Sequence, residues 1–110
     1  MTNNGNKLYQ KNGIMIDPAM PHPNHKAKIS YNGLLNKCGA THVYAHVGFN
    51  KEWNHQHDYE MTKKSNGFEV EIPIEYANTL NVAFKDCANN WDNNSGNNYT
   101  FDVAHKSLFR

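Results

Sequence analysis

Hydrophobic and polar residues alternate along most of the chain from residue 26 onward. Six segments show this period of two: 26–32, 42–49, 58–63, 68–74, 80–85 and 99–104. Because successive side chains of a β-strand point to opposite faces, each segment predicts a strand with one buried and one solvent-facing side. The segment 68–74 (FEVEIPI) is the clearest, since every second residue is apolar and the others are Glu or Pro.

Short segments rich in turn-forming residues separate the predicted strands. Asn32-Gly33 follows the first strand, and 65–67 (SNG) joins the third strand to the fourth. No segment has a convincing helical period, and the βαβ alternation of nucleotide-binding folds is absent. We therefore predict an all-β fold, an antiparallel immunoglobulin-like β-sandwich, with a small barrel as the alternative architecture.

The first 25 residues differ in composition from the rest of the chain. Asn and Gly occur early, and Pro18, Pro21 and Pro23 follow, which disfavours regular structure. We predict an extended N-terminal arm over 1–25 and a β-sandwich module over 26–110. Within the arm, the segment 13–17 (GIMID) is a candidate for an added edge strand.

Length and charge restrict the function further. A chain of 110 residues and 12.6 kDa has room for one domain. Eleven Lys and Arg balance ten Asp and Glu, and no basic run is present, so we expect no nucleic acid as a partner. No stretch approaches the roughly 18 to 20 apolar residues of a membrane span, and no apolar signal segment is found, so we expect no membrane partner.

Candidate metal and catalytic motifs are weak. The pairs His22/His25 and His55/His57 have short spacings, but neither has Cys or carboxylate neighbours at a zinc-site spacing. The sequence contains no nucleophile elbow, phosphate-binding loop or metalloprotease motif. We therefore expect no metal, no cofactor and no catalytic residues, and the protein is not predicted to be an enzyme.

The two Trp residues occur in polar segments outside the alternating sets. Trp53 follows a predicted strand, and Trp91 lies in 89–98, which holds six of the 18 Asn residues of the chain. Polar neighbours resist burial without partners, so we predict that both indoles are displayed as a recognition surface. Indoles cover the apolar C–H face of a sugar while Asn, Asp and His bind its hydroxyls. The alternative is a protein-interaction sandwich with the exposed Trp pair as its hot spot.

These residues also resemble a known family. The motifs concerned are 43–49 (VYAHVGF), Trp53, 67–70 (GFEV), 84–86 (FKD) and 90–94 (NWDNN). In this order they resemble the starch-binding carbohydrate-binding modules of family 25, which are related to families 26 and 53. The resemblance covers roughly residues 26–103 and implies a non-catalytic module that binds α-1,4-glucans such as starch, amylose, glycogen and maltooligosaccharides.

The resemblance also implies a set of carbohydrate-binding residues. They are His46, Trp53, Lys85, Trp91, Asp92, Asn93 and Asn94. His46 matches the family's histidine beside the sugar, and the two Trp match its stacking platform. In the loop after Trp91, the two Asn rank ahead of Asp92, for which bracing the loop is the alternative role.

Partners and location depend on whether the module works alone. Modules of this kind accompany amylase-type enzymes, which makes such an enzyme a candidate partner, and a module excised from a secreted enzyme would be extracellular. Cys38 and Cys87 are predicted to be free thiols, which favours a free-standing cytoplasmic protein with glycogen as its ligand. We expect a monomer.

Overall fold

The computed structural model describes residues 9–104. A 3₁₀ turn (Gln10–Asn12) and a single helical turn, α1 (Leu34–Lys37), accompany nine strands. The strands are β1 (Ile14–Asp17), β2 (Lys26–Tyr31), β3 (Val43–Phe49), β4 (Asn54–Glu60), β5 (Thr62–Lys64), β6 (Gly67–Pro73), β7 (Thr79–Asp86), β8 (Trp91–Asp92) and β9 (Tyr99–Asp102). Within residues 9–104, no helix is long and apolar enough to cross a membrane.

The strands form two antiparallel sheets. The first has the order β1-β2-β6-β5, and the second has the order β4-β3-β7, with β8 and β9 both pairing with β7. Inward-facing side chains of both sheets belong to one hydrophobic core, in which the ring of Tyr31 stacks on that of Phe84 with centroids 4.2 Å apart. The predicted all-β antiparallel sandwich is confirmed.

The buried face of each main strand agrees with the alternation of the sequence. Every second residue of β3 from Val43 to Phe49 is buried, as are Leu80, Val82 and Phe84 of β7. On the opposite face of β7, Asn81 and Ala83 are also buried. Burying one such side chain stabilises the fold by about 1.5–3 kcal/mol relative to leaving it exposed. Alternation of apolar residues is therefore sufficient to set the faces of these strands.

The segment before residue 26 contributes a strand to the first sheet. β1 pairs with β2 in the register Ile14↔Tyr31 and Ile16↔Ile29, and both isoleucines of β1 are fully buried. The candidate edge strand in 13–17 is thus present. The division of the chain at residue 25 stays a prediction, although β1 lies before it and packs into the sandwich.

The single strand predicted over 58–63 is wrong. β4 belongs to the second sheet and β5 to the first, and the chain crosses between the sheets at Met61, which is buried and donates its N–H to the carbonyl of Val43 at 2.9 Å. Tyr59 and Met61 share an inward face as predicted, but residues 54–58 are exposed and polar. These residues pair with β3 through their backbone, and the sequence shows no alternation of apolar residues there that would predict the strand.

Candidate functional site

Three aromatic side chains meet on the outer face of the second sheet. His46 lies on β3, Trp53 ends the turn before β4, and Trp91 lies on β8. The His46 ring stacks on Trp53, with centroids 5.4 Å apart and planes 24° apart. It meets Trp91 edge-on, with centroids 5.5 Å apart and planes 89° apart. The two indoles are therefore far from coplanar. We call these three residues the aromatic platform.

Trp53 is held against the sheet by the turn that joins β3 to β4. The backbone N–H of Trp53 donates to the carbonyl of Asn50 at 3.1 Å, and the buried side chain of Asn81 donates to the same carbonyl at 2.6 Å. Beneath the indole lies Gly48, where a Cβ would overlap the Trp53 ring. The glycine lets the half-buried indole approach the sheet closely.

Trp91 is positioned by the pairing of β8 with β7 and by the turn that precedes it. Trp91 is opposite Lys85 in the register. The carboxylate of Asp86 accepts hydrogen bonds from the backbone N–H groups of Ala88 and Asn90 and from the Asn90 side chain, each at 2.9 Å. The bonds from Asn90 lower the pKa of Asp86 below its ordinary value. Trp91 itself stays 42% exposed.

Asp92 faces the core rather than the aromatic platform. It is only 7% exposed, and its two oxygens accept hydrogen bonds from the hydroxyls of Tyr31 and Tyr99, each at 2.7 Å. Burial, assisted by the hydrogen bond to Asp92, raises the pKa of both phenols well above the ordinary value. In contrast to the expected sugar contact, Asp92 braces the loop, and it does so through two tyrosines rather than through an Asx turn.

The two asparagines after Asp92 differ in position. Asn93 lines the depression over the aromatic platform, and its side-chain oxygen accepts from the N–H of Gly96 at 3.0 Å. Asn94 donates its side-chain amide to the carbonyl of Asn98 at 3.1 Å and lines a neighbouring depression on the other side of Trp91. Of the two, Asn93 is the one that the fold brings to the platform.

Lys85 and His46 share one carboxylate. Asp58 of β4 contacts the Nδ1 of His46 at 2.5 Å and the Nζ of Lys85 at 2.7 Å, and this Nζ also lies 5.4 Å from the centroid of the Trp91 ring. Partial burial raises the pKa of Asp58, but the hydrogen bonds from Lys85 and His46 outweigh it and hold the pKa below its ordinary value. With Nδ1 engaged, Nε2 is the ring nitrogen left to contact a ligand.

Sequence reasoning missed four residues that line the platform depression. They are Glu52, Gln56, Ala83 and Asn98. Ala83 is directly opposite His46 in the register, and its small side chain leaves room between the two indoles. Only Ala83 could have been found from the sequence, because an alanine on the outward side of a central strand indicates a place where the surface is covered or recessed. The other three residues lie in polar segments with no distinguishing pattern.

Among residues 9–104, no other histidine and neither cysteine lines the platform depression. Cys38 and Cys87 are free and exposed. His55 contacts Glu75 at 2.5 Å, and the rings of His22 and His25 are 6.1 Å apart. Over residues 9–104, no three His, Cys, Asp or Glu side chains are grouped so that they would hold a metal ion.

The family of the chain follows from comparison with known proteins. Residues 27–82, half of the chain, match the model of the starch/carbohydrate-binding module of family 53. The chain is a member of family 53. The predicted starch-binding class of module is thereby confirmed, while the narrower resemblance to family 25 stays a prediction. The family 53 match includes His46 and Trp53 and ends before Trp91.

A curated relative points in the same direction. An alpha-amylase of Clostridium acetobutylicum is 33% identical to this family 53 module over 95 residues, which is 84% of the module but 12% of that protein. The module therefore spans about one eighth of the length of this relative. No solved structure matched the chain.

Proposed function

We propose that the protein binds α-1,4-glucans, including starch, amylose, glycogen and maltooligosaccharides, and that the aromatic platform is the binding site. The carrying observation is the arrangement of two indoles in different planes on either side of His46. An α-1,4-glucan curves, so successive glucose rings turn their faces in different directions. A flat β-1,4 chain instead suits a coplanar strip of aromatic rings.

The chemistry of the depression supports a neutral sugar. Trp53 and Trp91 cover apolar C–H faces, as aromatic rings do in burying apolar surface. Nε2 of His46 and the side chains of Gln56 and Asn93 supply donors and acceptors for hydroxyl groups. Such an open and solvated site predicts modest affinity for short maltooligosaccharides, on the order of micromolar to millimolar.

The same geometry favours binding without cleavage. Glycoside hydrolysis requires a carboxylic acid that protonates the leaving oxygen and a second carboxylate beside it. Asp58 is held ionised by Lys85 and His46, because their hydrogen bonds lower its pKa, so it is a poor proton donor. Glu52 lines the depression, whereas Asp58 is not among its lining residues. Pure protein is expected to release no reducing ends from starch.

An amylase-type enzyme remains the proposed partner. The alignment of most of this chain with a small part of a clostridial alpha-amylase supports a module that acts beside a catalytic domain. The module would then hold the enzyme on an insoluble glucan, and the catalytic chemistry would belong to the partner.

A pull-down on insoluble starch and on cellulose tests the proposal. The wild type is expected on starch and not on cellulose, and Trp53→Ala and Trp91→Ala are each expected to lose about thirtyfold in affinity, the effect of truncating a hot-spot aromatic. Tyr76→Ala is the matched control, since Tyr76 is 58% exposed and lines a different depression. Equal retention on both polymers, or normal binding by the Trp variants, would overturn the proposal. Retention on neither polymer would favour a protein partner instead.

A further inference from the structure

We infer that the glucan site continues past Trp91 into a second depression, where it holds additional glucose units of the same chain. We call this depression the distal subsite and define it by Leu34, Lys37, Asn94 and Ser95. The inference rests on the proposed function, because its occupant is a longer stretch of the same α-glucan.

The two depressions are continuous at Trp91. Both Trp91 and Asn93 line the platform depression and also the distal subsite, so the exposed indole stands between them. A sugar chain that stacks on Trp91 has its next residues directed to one side or the other. Glucose units beyond the platform that pass between Trp91 and Asn93 would enter the distal subsite, whereas a third depression beside Cys38 and Cys87 shares only Trp91 and Leu34 with it.

An exposed apolar side chain marks the distal subsite. Leu34 is 56% exposed, although it begins a helical turn that is fixed in place. The next residue, Leu35, is buried and donates its N–H to the hydroxyl of Tyr31 at 2.9 Å. Leu34 is thus held at the surface beside Trp91, where its apolar surface would contact the C–H face of a sugar.

Polar groups around Leu34 suit sugar hydroxyls. Lys37 is an exposed donor at the end of the same turn, and Asn94 and Ser95 add an amide and a hydroxyl from the opposite wall. The placement of Asn94 here also accounts for its absence from the platform depression. Residues 11 and 12, which precede β1, line the same subsite.

Chain-length dependence of binding tests the inference. Titration calorimetry compares maltotriose, which fits the platform, with maltoheptaose, which reaches both depressions. In the wild type we expect maltoheptaose to bind about tenfold more tightly than maltotriose. In the double variant Leu34→Ala/Lys37→Ala, the affinity for maltotriose is expected to stay unchanged, while the ratio of maltoheptaose to maltotriose affinity falls to about twofold.

Two further variants make the test specific. Leu34→Tyr adds a flat ring and is expected to increase the advantage of maltoheptaose. Lys26→Ala/Tyr76→Ala, at a depression elsewhere, is expected to behave as the wild type. Thermal unfolding verifies that each variant is folded.

The outcomes separate this inference from the proposed function. If the wild type binds both sugars and the Leu34/Lys37 variant keeps the full advantage of maltoheptaose, the distal subsite is refuted while glucan binding stands. Equal weakening of both sugars in that variant also refutes it, since the residues would then act on the platform. If the wild type binds neither sugar, the proposed function itself fails.

Discussion

Replacing Asp92 by Ala tests how the Trp91 loop is fastened to the core. The carboxylate accepts two hydrogen bonds from buried phenols, each 2.7 Å long. A hydrogen bond to a charged group contributes about 1.5–3 kcal/mol, so losing both should lower the free energy of unfolding by about 3–6 kcal/mol. Since domains of this size are stable by about 5–15 kcal/mol, the loss is large and should lower Tm by about 15 °C or more.

Urea denaturation followed by Trp fluorescence, with thermal unfolding beside it, measures this effect. Asp102→Ala is the control, because Asp102 is an exposed aspartate at the end of β9 and its removal should cost less than about 0.5 kcal/mol. A difference below about 1 kcal/mol between the two variants would refute the reasoning.

A companion variant separates the lost bonds from the cost of stranded partners. Removing Asp92 alone leaves two buried hydroxyls without their acceptor, and this penalty is part of the expected loss. Replacing Asp92 by Leu and both tyrosines by Phe removes the carboxylate and both hydroxyls together, and leaves one buried donor, the Leu35 N–H, without its acceptor in place of two stranded hydroxyls. The triple variant should therefore be more stable than Asp92→Ala. A triple variant that is less stable than Asp92→Ala would show that packing, and not the unpaired hydroxyls, governs the loss.

Three other expectations concern pH and the platform. Burial and the hydrogen bond to Asp92 raise the pKa of Tyr31 and Tyr99, so the folded state keeps both phenols protonated. Their contribution to the free energy of unfolding is fully present below the ordinary phenol pKa of about 10, and it is lost as the pH rises above that value. Phenolate absorbance should show both ionising only with unfolding, and their ionisation in the folded protein would contradict this. Asp58→Ala should weaken maltoheptaose binding about three- to tenfold in calorimetry, because the ring of His46 loses the partner that orders it, while unfolding shifts by less than about 1 kcal/mol; unchanged affinity would exclude that role. Ala83→Phe should abolish retention on starch, because Ala83 is buried and a ring at this position displaces the side chains that line the depression; a folded variant retained like the wild type would place the sugar elsewhere.

The fold was predictable where burial alone decides the structure. β7 could be assigned from Leu80, Val82 and Phe84, because a period of two with apolar residues has one physical solution at a sandwich core. β4 could not, since residues 54–58 are polar and exposed and are held by backbone pairing with β3. β8 has two residues, too few for any period to appear.

The residues of the candidate site also divide into those that the sequence predicts and those that only the fold reveals. Trp53 and Trp91 were found because an indole among polar residues is unusual in any fold. The interior position of Asp92 was not predictable, because one of its phenol partners, Tyr31, lies 61 residues away in the other sheet. The contact of Asp58 with His46 likewise depends on the register of two strands, which a single sequence does not fix.

The crossing at Met61 also affects how copies of the module behave when crowded on a surface. Among residues 9–104, β4 lies at one edge of the second sheet and β5 lies at one edge of the first, and Met61 joins the two strands. The exposed side chains of 54–58 and 62–64 are all polar, with Lys63 and Lys64 on β5. Charged and polar edge strands discourage pairing with a neighbouring chain. Molecules gathered at high density along a polymer would thus resist intermolecular strand addition on this side and stay separate.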